Sequence, residues 1–333
     1  MKNSLLTLSA LLVLLSPGLA PAASSPEEVK AYLLSALAEM NAQAADFSNN
    51  AAAYAALVKE KGSLEAAVQA APGPMDALVE KMRENYKGMD SFGYETVEGI
   101  VAGVPSLAHY DITLDAGVPA SEGPDDVARV TLDLGNGKTI DQEGALFTYI
   151  IEPSLWGGEK RWSIRINEKV YPRPEVMVAA AAEAQKLIGA LQADAQAWEP
   201  SVSDCFGAMI VMTPTLSDYF EDWKESRFSE EKSGRFQAVS RISDMKGIMG
   251  SCAVMYGAVE ESIAKKDQPL ARATALGFQE ILTFLDLLEA REKEGRIQPA
   301  EIDELARQAK EKTDKLVPQI EQGAALTEAE PVS

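Results

Sequence analysis

Two short stretches of alternating apolar and polar residues constrain the fold most, because they interrupt a chain that otherwise repeats at helical spacing. Val127–Leu134 and Trp162–Ile166 alternate with a period of two, the pattern of a half-buried strand. The pairs Asn136-Gly137 and Asn167-Glu168 follow them as tight turns. We therefore predict a small antiparallel sheet at about Val127–Tyr171, inserted in a helical protein.

The rest of the chain carries helix signals, which predict a bundle on each side of the sheet. A cap at Ser25 starts a helix that continues through Val58, and a second helix runs from about Met75 to Tyr86 after a break at Pro72-Gly73-Pro74. Further helices are expected from Pro174 to Trp198, from Pro214, and at about Glu230–Lys265, Gln268–Lys293 and Pro299–Glu321. The predicted fold class is mainly α, with two helical bundle halves and a small antiparallel β insertion at about 127–171.

These patterns divide the chain into five parts. Met1–Ala22 has the features of a secretory signal peptide: Lys2 near the start, the apolar run Leu5–Leu15 and an Ala-Pro-Ala cleavage site. The other parts are an N-terminal helical part at 25–118, a β-hairpin insertion at 119–172, a C-terminal helical bundle at 173–322 and a disordered tail at 323–333. We expect an exported, soluble protein of the periplasm or the extracellular space.

The formal net charge of −20, which becomes −21 when Lys2 is removed with the signal peptide, limits the partners. An acidic chain repels nucleic acid and anionic membrane surfaces. The longest apolar run is too short to span a bilayer. We therefore predict no nucleic-acid partner and no membrane insertion of the mature chain.

Cys205 and Cys252 are the two cysteines of the chain. In an oxidising compartment such a pair usually forms a disulfide. We predict a bond between them, with a stabilisation of about 4 kcal/mol on the chain-entropy estimate.

The stretch Tyr94–Gly117 concentrates candidate metal ligands. It contains the single histidine, His109, together with Glu98, Asp111 and Asp115. Asp111 and Asp115 fall on the same side of a helix or a strand, and oxygen and imidazole donors at such spacing can hold a hard or borderline metal ion. Alternatively, the glutamates form a solvated helix face and His109 is buried and hydrogen-bonded.

A second acidic group lies in Ser201–Phe228. Four acids lie close to Tyr219 and Trp223, namely Asp204, Asp218, Glu221 and Asp222. We expect them to line a cleft between the two halves together with the acids of the first stretch and His109, and we include Asp218 and Glu221 in the predicted ligand set. Ferric iron is a hard acid, and carboxylate and phenolate oxygens suit it. Alternatively, these acids are an exposed helix start that the helix dipole stabilises.

Other chemistry is excluded or assigned to the core. The sequence has no HExxH, CxxCH or GxSxG motif, so a zinc protease helix, haem attachment and a nucleophile elbow are unsupported. The apolar segment Leu146–Gly158 is predicted to pack in the core. Core packing is also the interpretation for Met209, Met212, Met245, Met249 and Met255.

The segments SLAHYDITLDAG and MIVMTPTLSDYFEDWKESRF resemble those of algal-type periplasmic iron-assimilating proteins. In outline, with GIVAGVPSLAHYD early and a second bundle late, the chain resembles the imelysin-like group, which includes peptidases and periplasmic components of bacterial iron uptake. The imelysin signature contains His-x-x-Glu, whereas Tyr110, Asp111 and Ile112 follow His109 here. The resemblance implies iron handling, and the missing glutamate argues against peptidase activity.

The leading hypothesis is therefore an exported protein that binds iron, ferric or ferrous, or another divalent metal, and assists uptake without catalysis. The predicted ligands are Glu98, His109, Asp111, Asp115, Asp218 and Glu221. The expected partners are the metal ion and an iron permease of the inner or plasma membrane. Two alternatives stay open. One is a metal-dependent peptidase of the imelysin type, with Glu98 or Asp111 as base and His109 as ligand, and the other is a helical partner-binding protein without metal.

Overall fold

The computed structural model of the protein describes residues 23–123, 126–135, 137–158, 160–227, 235–238 and 240–329. The α-helices of this part are α1 (Pro26–Lys61), α2 (Leu64–Ala70), α3 (Pro72–Met89), α4 (Glu98–Val101), α5 (Ala108–Asp111), α6 (Glu152–Trp156), α7 (Pro174–Ala197), α8 (Val202–Met212), α9 (Tyr219–Glu225), α10 (Arg241–Ala264), α11 (Gln268–Lys293) and α12 (Ile302–Thr327). The strands are β1 (Arg129–Gly135), β2 (Lys138–Glu143), β3 (Ser163–Ile166) and β4 (Lys169–Pro172). Short 3-10 turns occupy Tyr94–Thr96, Thr213–Ser217 and Pro299–Glu301, and single π-helical turns occupy Ile112–Ala116 and Phe147–Ile151.

The predicted fold class is confirmed: the protein is mainly α-helical with a small antiparallel β insertion. The insertion consists of two separate hairpins, β1 with β2 and β3 with β4, rather than one sheet. Arg129 is opposite Glu143 in the first hairpin, and Ile164 is opposite Tyr171 in the second. The apolar segment between them forms the second π turn and α6, and this buried helix separates the hairpins. Asn136, part of the first predicted turn, lies outside the described residues.

Helix α1 is the longest helix of the N-terminal half. Ser25 accepts a hydrogen bond from the Glu28 amide at its start, and Gly62, with φ of +90°, ends it. Apolar side chains repeat three or four residues apart and are buried against α3 and α7. The buried stripe comprises Val29, Leu33, Leu37, Met40, Ala44, Phe47, Ala51 and Tyr54. This stripe explains why the helix continues for 36 residues.

Helix α3 differs from the prediction at its start. Pro72-Gly73-Pro74 forms the first turn of the helix, which then continues to Met89. Proline is tolerated in the first helical turn because the amide that it lacks has no intrahelical acceptor there. The predicted chain break is therefore a helix start.

The C-terminal helices match the predictions best. Helix α11 begins and ends at the predicted residues, and Ile281, Leu285 and Leu288 are buried along it. Helix α10 begins at Arg241, so the expected start at Glu230 is wrong in the described segment 235–238, which is irregular. Helix α12 continues to Thr327, so residues 323–327 are helical rather than disordered. Residues 330–333 of the predicted tail and the predicted signal peptide lie outside the described residues.

The predicted disulfide is wrong, because Cys205 and Cys252 are both free and buried. The Cys252 thiol lies against Gly99 of α4 and within hydrogen-bonding reach of Thr213. Cys205 lies on α8 with Asp204 and Glu27 as its neighbouring charges. The thiols are buried, with Cys205 1% and Cys252 0% exposed, and they have different neighbours, so neither is bonded to the other.

Apolar side chains from both halves form one hydrophobic core. The five methionines considered above are buried in it, as predicted. Phe147, Ile150, Ile151 and Leu155 of the segment between the hairpins are also fully buried, which confirms its core assignment. None of the described helices combines the length and the apolar character needed to cross a membrane.

Candidate metal site

Eight carboxyl groups converge inside the protein where both halves meet, and we call them the acid cluster. They belong to Asp90, Glu95, Glu98, Asp111, Asp115, Glu152, Asp222 and Asp244. Six of these residues are buried, while Asp111 and Asp222 keep partial exposure to solvent. Buried carboxylates are normally paired with cations or coordinate metals, since burial of an isolated charge is costly.

Two π-helical turns bring part of the cluster together. Asp115 lies on the turn Ile112–Ala116, and Thr148 lies on the turn Phe147–Ile151. The Thr148 hydroxyl donates to the carboxylate and to the main-chain carbonyl of Asp115, both at 2.9 Å. Single π turns inside helices occur frequently at functional sites, because the extra residue redirects the side chains.

A close backbone contact places Glu95 beside α10. Gly247 faces the main chain of Glu95, and a Cβ atom at this glycine would lie 2.7 Å from the Glu95 carbonyl oxygen. A larger residue would therefore separate the two segments. The glycine allows the 3-10 turn that carries Glu95 to pack directly on α10.

Three of the acids form a compact group that we call the inner site. One oxygen each of Asp90, Glu95 and Asp115 lies within 4.8 Å of the other two. A small cavity of about 10 Å³, lined among others by Asp90, Asp115 and Asp244, lies at this position. This volume corresponds to about one water-sized probe sphere. Asp90 and Asp115 of the inner site thus line a space for one small species, next to Asp244 and Arg241, while Glu95 is not part of the cavity lining.

Several buried atoms of the cluster have no hydrogen-bond partner among the described residues. They are Asp90 Oδ1, Glu95 Oε2, Glu98 Oε2, Asp244 Oδ1 and Arg241 Nε. The great majority of buried polar groups in proteins are hydrogen-bonded, so each unsatisfied atom needs an explanation. Four carboxyl oxygens without a donor in one region indicate a place for a cation or a proton.

Arg241 is the basic side chain that lies among these acids. Its guanidinium donates to Asp244 at 3.1 Å and to Glu95 at 3.4 Å. It also lies over the rings of Tyr219 and Phe236, at 4.5 and 4.6 Å from their centroids. Burial opposes its charge, but Asp244 and Glu95 outweigh that effect and raise the pKa of Arg241 well above its usual range. One guanidinium neutralises one of the eight acids.

Burial also changes the ionisation of the acids. It raises the pKa of Asp90 and of Glu95 well above their usual values, and neighbouring carboxylates raise them further. The pKa of Asp244 rises to about 8 through burial, although Arg241 acts in the opposite direction. Without a cation, the cluster therefore holds protons at neutral pH, which relieves part of the repulsion.

Glu152 plays a different part, because backbone amides surround its carboxylate. Phe236, Gln237 and Ala238 donate to it through their main-chain N–H groups, at 2.5, 2.7 and 2.8 Å. Burial raises the pKa of Glu152 to about 7, while these three hydrogen bonds favour the ionised form. Glu152 therefore anchors the segment 235–238 beside the cluster.

A second group of oxygens, which we call the outer site, adjoins the inner one. The Tyr219 phenol donates to Glu98 at 2.5 Å, and the Tyr94 phenol donates to Asp111 at 2.7 Å. The carboxyl groups of Glu98 and Glu95 lie within hydrogen-bonding reach of each other, which connects the two sites. Asp111 and Tyr219 are partly exposed, so the outer site is the side of the cluster that faces solvent.

The structure brings together three of the six predicted ligands, Glu98, Asp111 and Asp115. His109 is exposed and stacks on Tyr110, with ring centroids 4.1 Å apart, because it points away from Asp111 on α5. Asp218 and Glu221 lie at the surface, where Lys224 pairs with Glu221 at 2.9 Å. The exposed-helix interpretation therefore describes these two acids, and the buried-histidine interpretation of His109 is wrong.

Sequence reasoning missed Asp90, Glu152, Asp244 and Arg241. A signal existed for one of them: Glu152 is the charged residue inside the apolar run FTYIIEPSLW, where a buried acid requires a specific partner. Asp244 and Arg241 begin a helix, and nothing in their local sequence distinguishes them from an ordinary solvated helix start.

Two larger cavities are open surface grooves that the eight carboxyl groups do not line. One, of about 790 Å³, lies between α1, β1 and α7, and the other, of about 640 Å³, lies beside the β1–β2 hairpin. The second groove shares Thr148 with the small inner cavity, but none of the eight acids lines it. None of the eight acids therefore faces either groove, although Thr148 connects the second groove to the inner cavity.

A scan against protein-family models finds no match for this chain, and a search of curated proteins finds none either. The resemblance to the imelysin-like group thus remains a prediction from the sequence segments quoted above.

Proposed function

We propose that this protein is an exported carrier that binds a hard metal cation at the inner site and assists metal uptake without catalysis. Iron is the cation that the sequence resemblance implies. Oxygen donors alone suit hard cations, so the ligand set also admits manganese or calcium. An iron permease of the inner or plasma membrane is the expected receiving partner.

The observation that carries this proposal is the set of three buried oxygens from Asp90, Glu95 and Asp115 within 4.8 Å of one another. Asp90 and Glu95 each keep an oxygen without a donor among the described residues. Such an arrangement is unfavourable without a positive charge, because repulsion between desolvated carboxylates adds to the cost of burying them. A bound cation would neutralise the carboxylates and complete their coordination.

Binding is better supported than hydrolysis. A metal-dependent hydrolase needs an open coordination position, a base and space for the substrate. The inner cavity of about 10 Å³ admits one small species and no peptide, and the neighbouring groove of about 640 Å³ is lined by none of the eight acids. The exposed position of His109 also removes the imidazole ligand that the peptidase alternative requires.

Calorimetric titration of the chelator-treated protein with ferrous iron under anaerobic conditions, and with manganese and calcium, tests the proposal. We expect the double variant Asp90→Asn, Asp115→Asn to weaken binding of the preferred cation at least tenfold, or about 1.4 kcal/mol. The same variant should unfold at a higher denaturant concentration than the wild type when both are metal-free, because two repelling acids are removed.

The matched control is the double variant Asp218→Asn, Glu221→Gln, which removes the same formal charge from the protein surface. It should bind the cation as the wild type does. Absence of binding in the wild type, or equal losses in the two double variants, would exclude a specific inner site.

A further inference from the structure

Two phenol–carboxylate pairs meet at the outer site. Tyr219 is hydrogen-bonded to Glu98, and Tyr94 is hydrogen-bonded to Asp111. Burial raises the pKa of both the Asp111 carboxyl and the Tyr219 phenol, and nearby Glu98 raises both further. Four oxygens, two from carboxyls and two from phenols, therefore lie together at one end of the acid cluster.

A phenol–carboxylate hydrogen bond alone does not make a site. Tyr110 pairs with Asp194 at 2.7 Å, and Tyr171 pairs with Asp76 at 2.6 Å, in other parts of the protein. Each of these pairs is single. At the outer site, two such pairs lie next to each other. Their carboxyls belong to the acid cluster, whose eight carboxyl groups outnumber the guanidinium of Arg241 among the described residues.

An independent observation at the outer site points to a ligand. Glu98 is 1% exposed, and its Oε2 atom has no hydrogen-bond partner among the described residues, although Oε1 accepts from Tyr219. A fully buried carboxyl oxygen without a donor is costly unless a proton or a cation occupies the position in front of it. The Tyr219 phenol is bonded to the other oxygen of the same carboxyl, so it is an adjacent oxygen ligand.

We propose that the outer site is a second cation position, specific for ferric iron, in which Tyr94 and Tyr219 bind the ion as phenolates beside Glu98 and Asp111. This inference rests on the proposed function, since it assumes that the protein handles iron. It adds to that function a second bound ion, which is ferric iron, and two further ligands, Tyr94 and Tyr219.

The chemistry of coordination explains the selectivity. When a phenol coordinates the ion, its O–H bond is replaced by an Fe–O bond and the proton passes to solvent, while the iron stays ferric. Two phenolates and two carboxylates bring four negative charges, which leave a net charge of −1 with a trivalent cation and −2 with a divalent one, so the site favours the trivalent ion. Asp111 and Tyr219 are partly exposed, so an ion can reach the site from solvent.

Addition of ferric nitrilotriacetate to the chelator-treated protein, followed by removal of excess iron, tests the inference. Ferric phenolate absorbs visible light by charge transfer, so we expect a coloured protein with two irons per chain. The variant Tyr94→Phe, Tyr219→Phe should lose the colour and one iron. The phenyl ring that replaces the Tyr219 phenol keeps an aromatic face above Arg241, which limits structural damage.

Two further variants separate the sites. Asp90→Asn, Asp115→Asn should lose the inner iron and keep the colour, whereas Tyr110→Phe should change neither the colour nor the stoichiometry. A colourless protein that still binds iron at the inner site would overturn the inference and leave the proposed function standing. Colour that persists in the Tyr94→Phe, Tyr219→Phe variant would also overturn it. A protein that binds manganese or calcium but no iron would overturn the inference alone, and one that binds none of these cations would overturn both.

Discussion

Arg241 and Asp244 form an ion pair of 3.1 Å within the first turn of α10, and their side chains are only 7% and 5% exposed. Glu95 reaches the same guanidinium from an element 146 residues earlier in the chain, at 3.4 Å. This pairing joins the two halves at the centre of the acid cluster. Within the part of the chain that the structure describes, Arg241 pairs with three of the eight carboxyls, so it sets the electrostatic balance that a bound cation would complete.

Replacement of Arg241 by methionine should destabilise the metal-free protein by about 3 kcal/mol, since Glu95 and Asp244 would remain buried without a cationic partner. Urea denaturation at pH 7 measures the loss. The control is Arg307→Met, because Arg307 pairs with Glu304 and Glu311 on the exposed face of α12 and should leave stability unchanged. Equal stability of the two variants would show that Arg241 does not compensate the buried acids.

The stability of the metal-free protein should fall as pH rises from 5 to 8. Glu152 and Asp244 have folded-state pKa values of about 7 and about 8, whereas unfolded carboxyls ionise near pH 4. Between these values the folded protein binds more protons than the unfolded chain, so unfolding becomes easier as pH rises. Denaturation in the presence of a chelator at several pH values measures this slope.

Asp90→Asn should reduce that slope, because burial raises the pKa of Asp90 and the variant removes its titration. The control Glu304→Gln should leave the slope unchanged, since Glu304 is exposed and its pKa is lowered to about 2 by Arg307. If the metal-free protein becomes more stable from pH 5 to 8, the pKa values of the buried acids are not raised.

Both cysteines should be free thiols in the purified protein even after air oxidation. Burial raises the pKa of Cys205 and of Cys252 to about 12, which leaves little reactive thiolate. Labelling without reductant should modify neither residue in the native state and both after denaturation. In the denatured Cys252→Ser variant, one thiol per chain should be labelled. If no thiol is labelled in the denatured wild type, the two cysteines form a disulfide after all.

Two glycines of α10 should respond differently to alanine. At Gly247 a Cβ would lie 2.7 Å from the Glu95 carbonyl oxygen, whereas at Gly250 nothing lies within 4 Å. Gly247→Ala should cost about 1–3 kcal/mol through overpacking and weaken cation binding by displacing Glu95. Gly250→Ala should stabilise by about 0.5–1 kcal/mol through helix propensity. Thermal unfolding compares them, and similar effects at both positions would refute the close contact.

Local sequence patterns determined the secondary structure well. The 3.6-residue repeat of apolar side chains defines α1, α7 and α11, and the period-two runs define both hairpins. These patterns are local because each depends on which face of an element is buried. They also placed Glu98, Asp111 and Asp115 among the candidate ligands, since all three lie in one acidic stretch.

Only the tertiary structure decided which acids share a site and which lie in solvent. His109 and Asp111 are two residues apart on α5, yet one is exposed and the other belongs to the cluster. Asp90, Glu152 and Asp244 come from three distant elements, and the thiols of Cys205 and Cys252 are held in different surroundings. The repeat of apolar residues shows that one face of an element is buried, but not which other element covers that face. Which elements pack against each other follows from the packing of the whole chain.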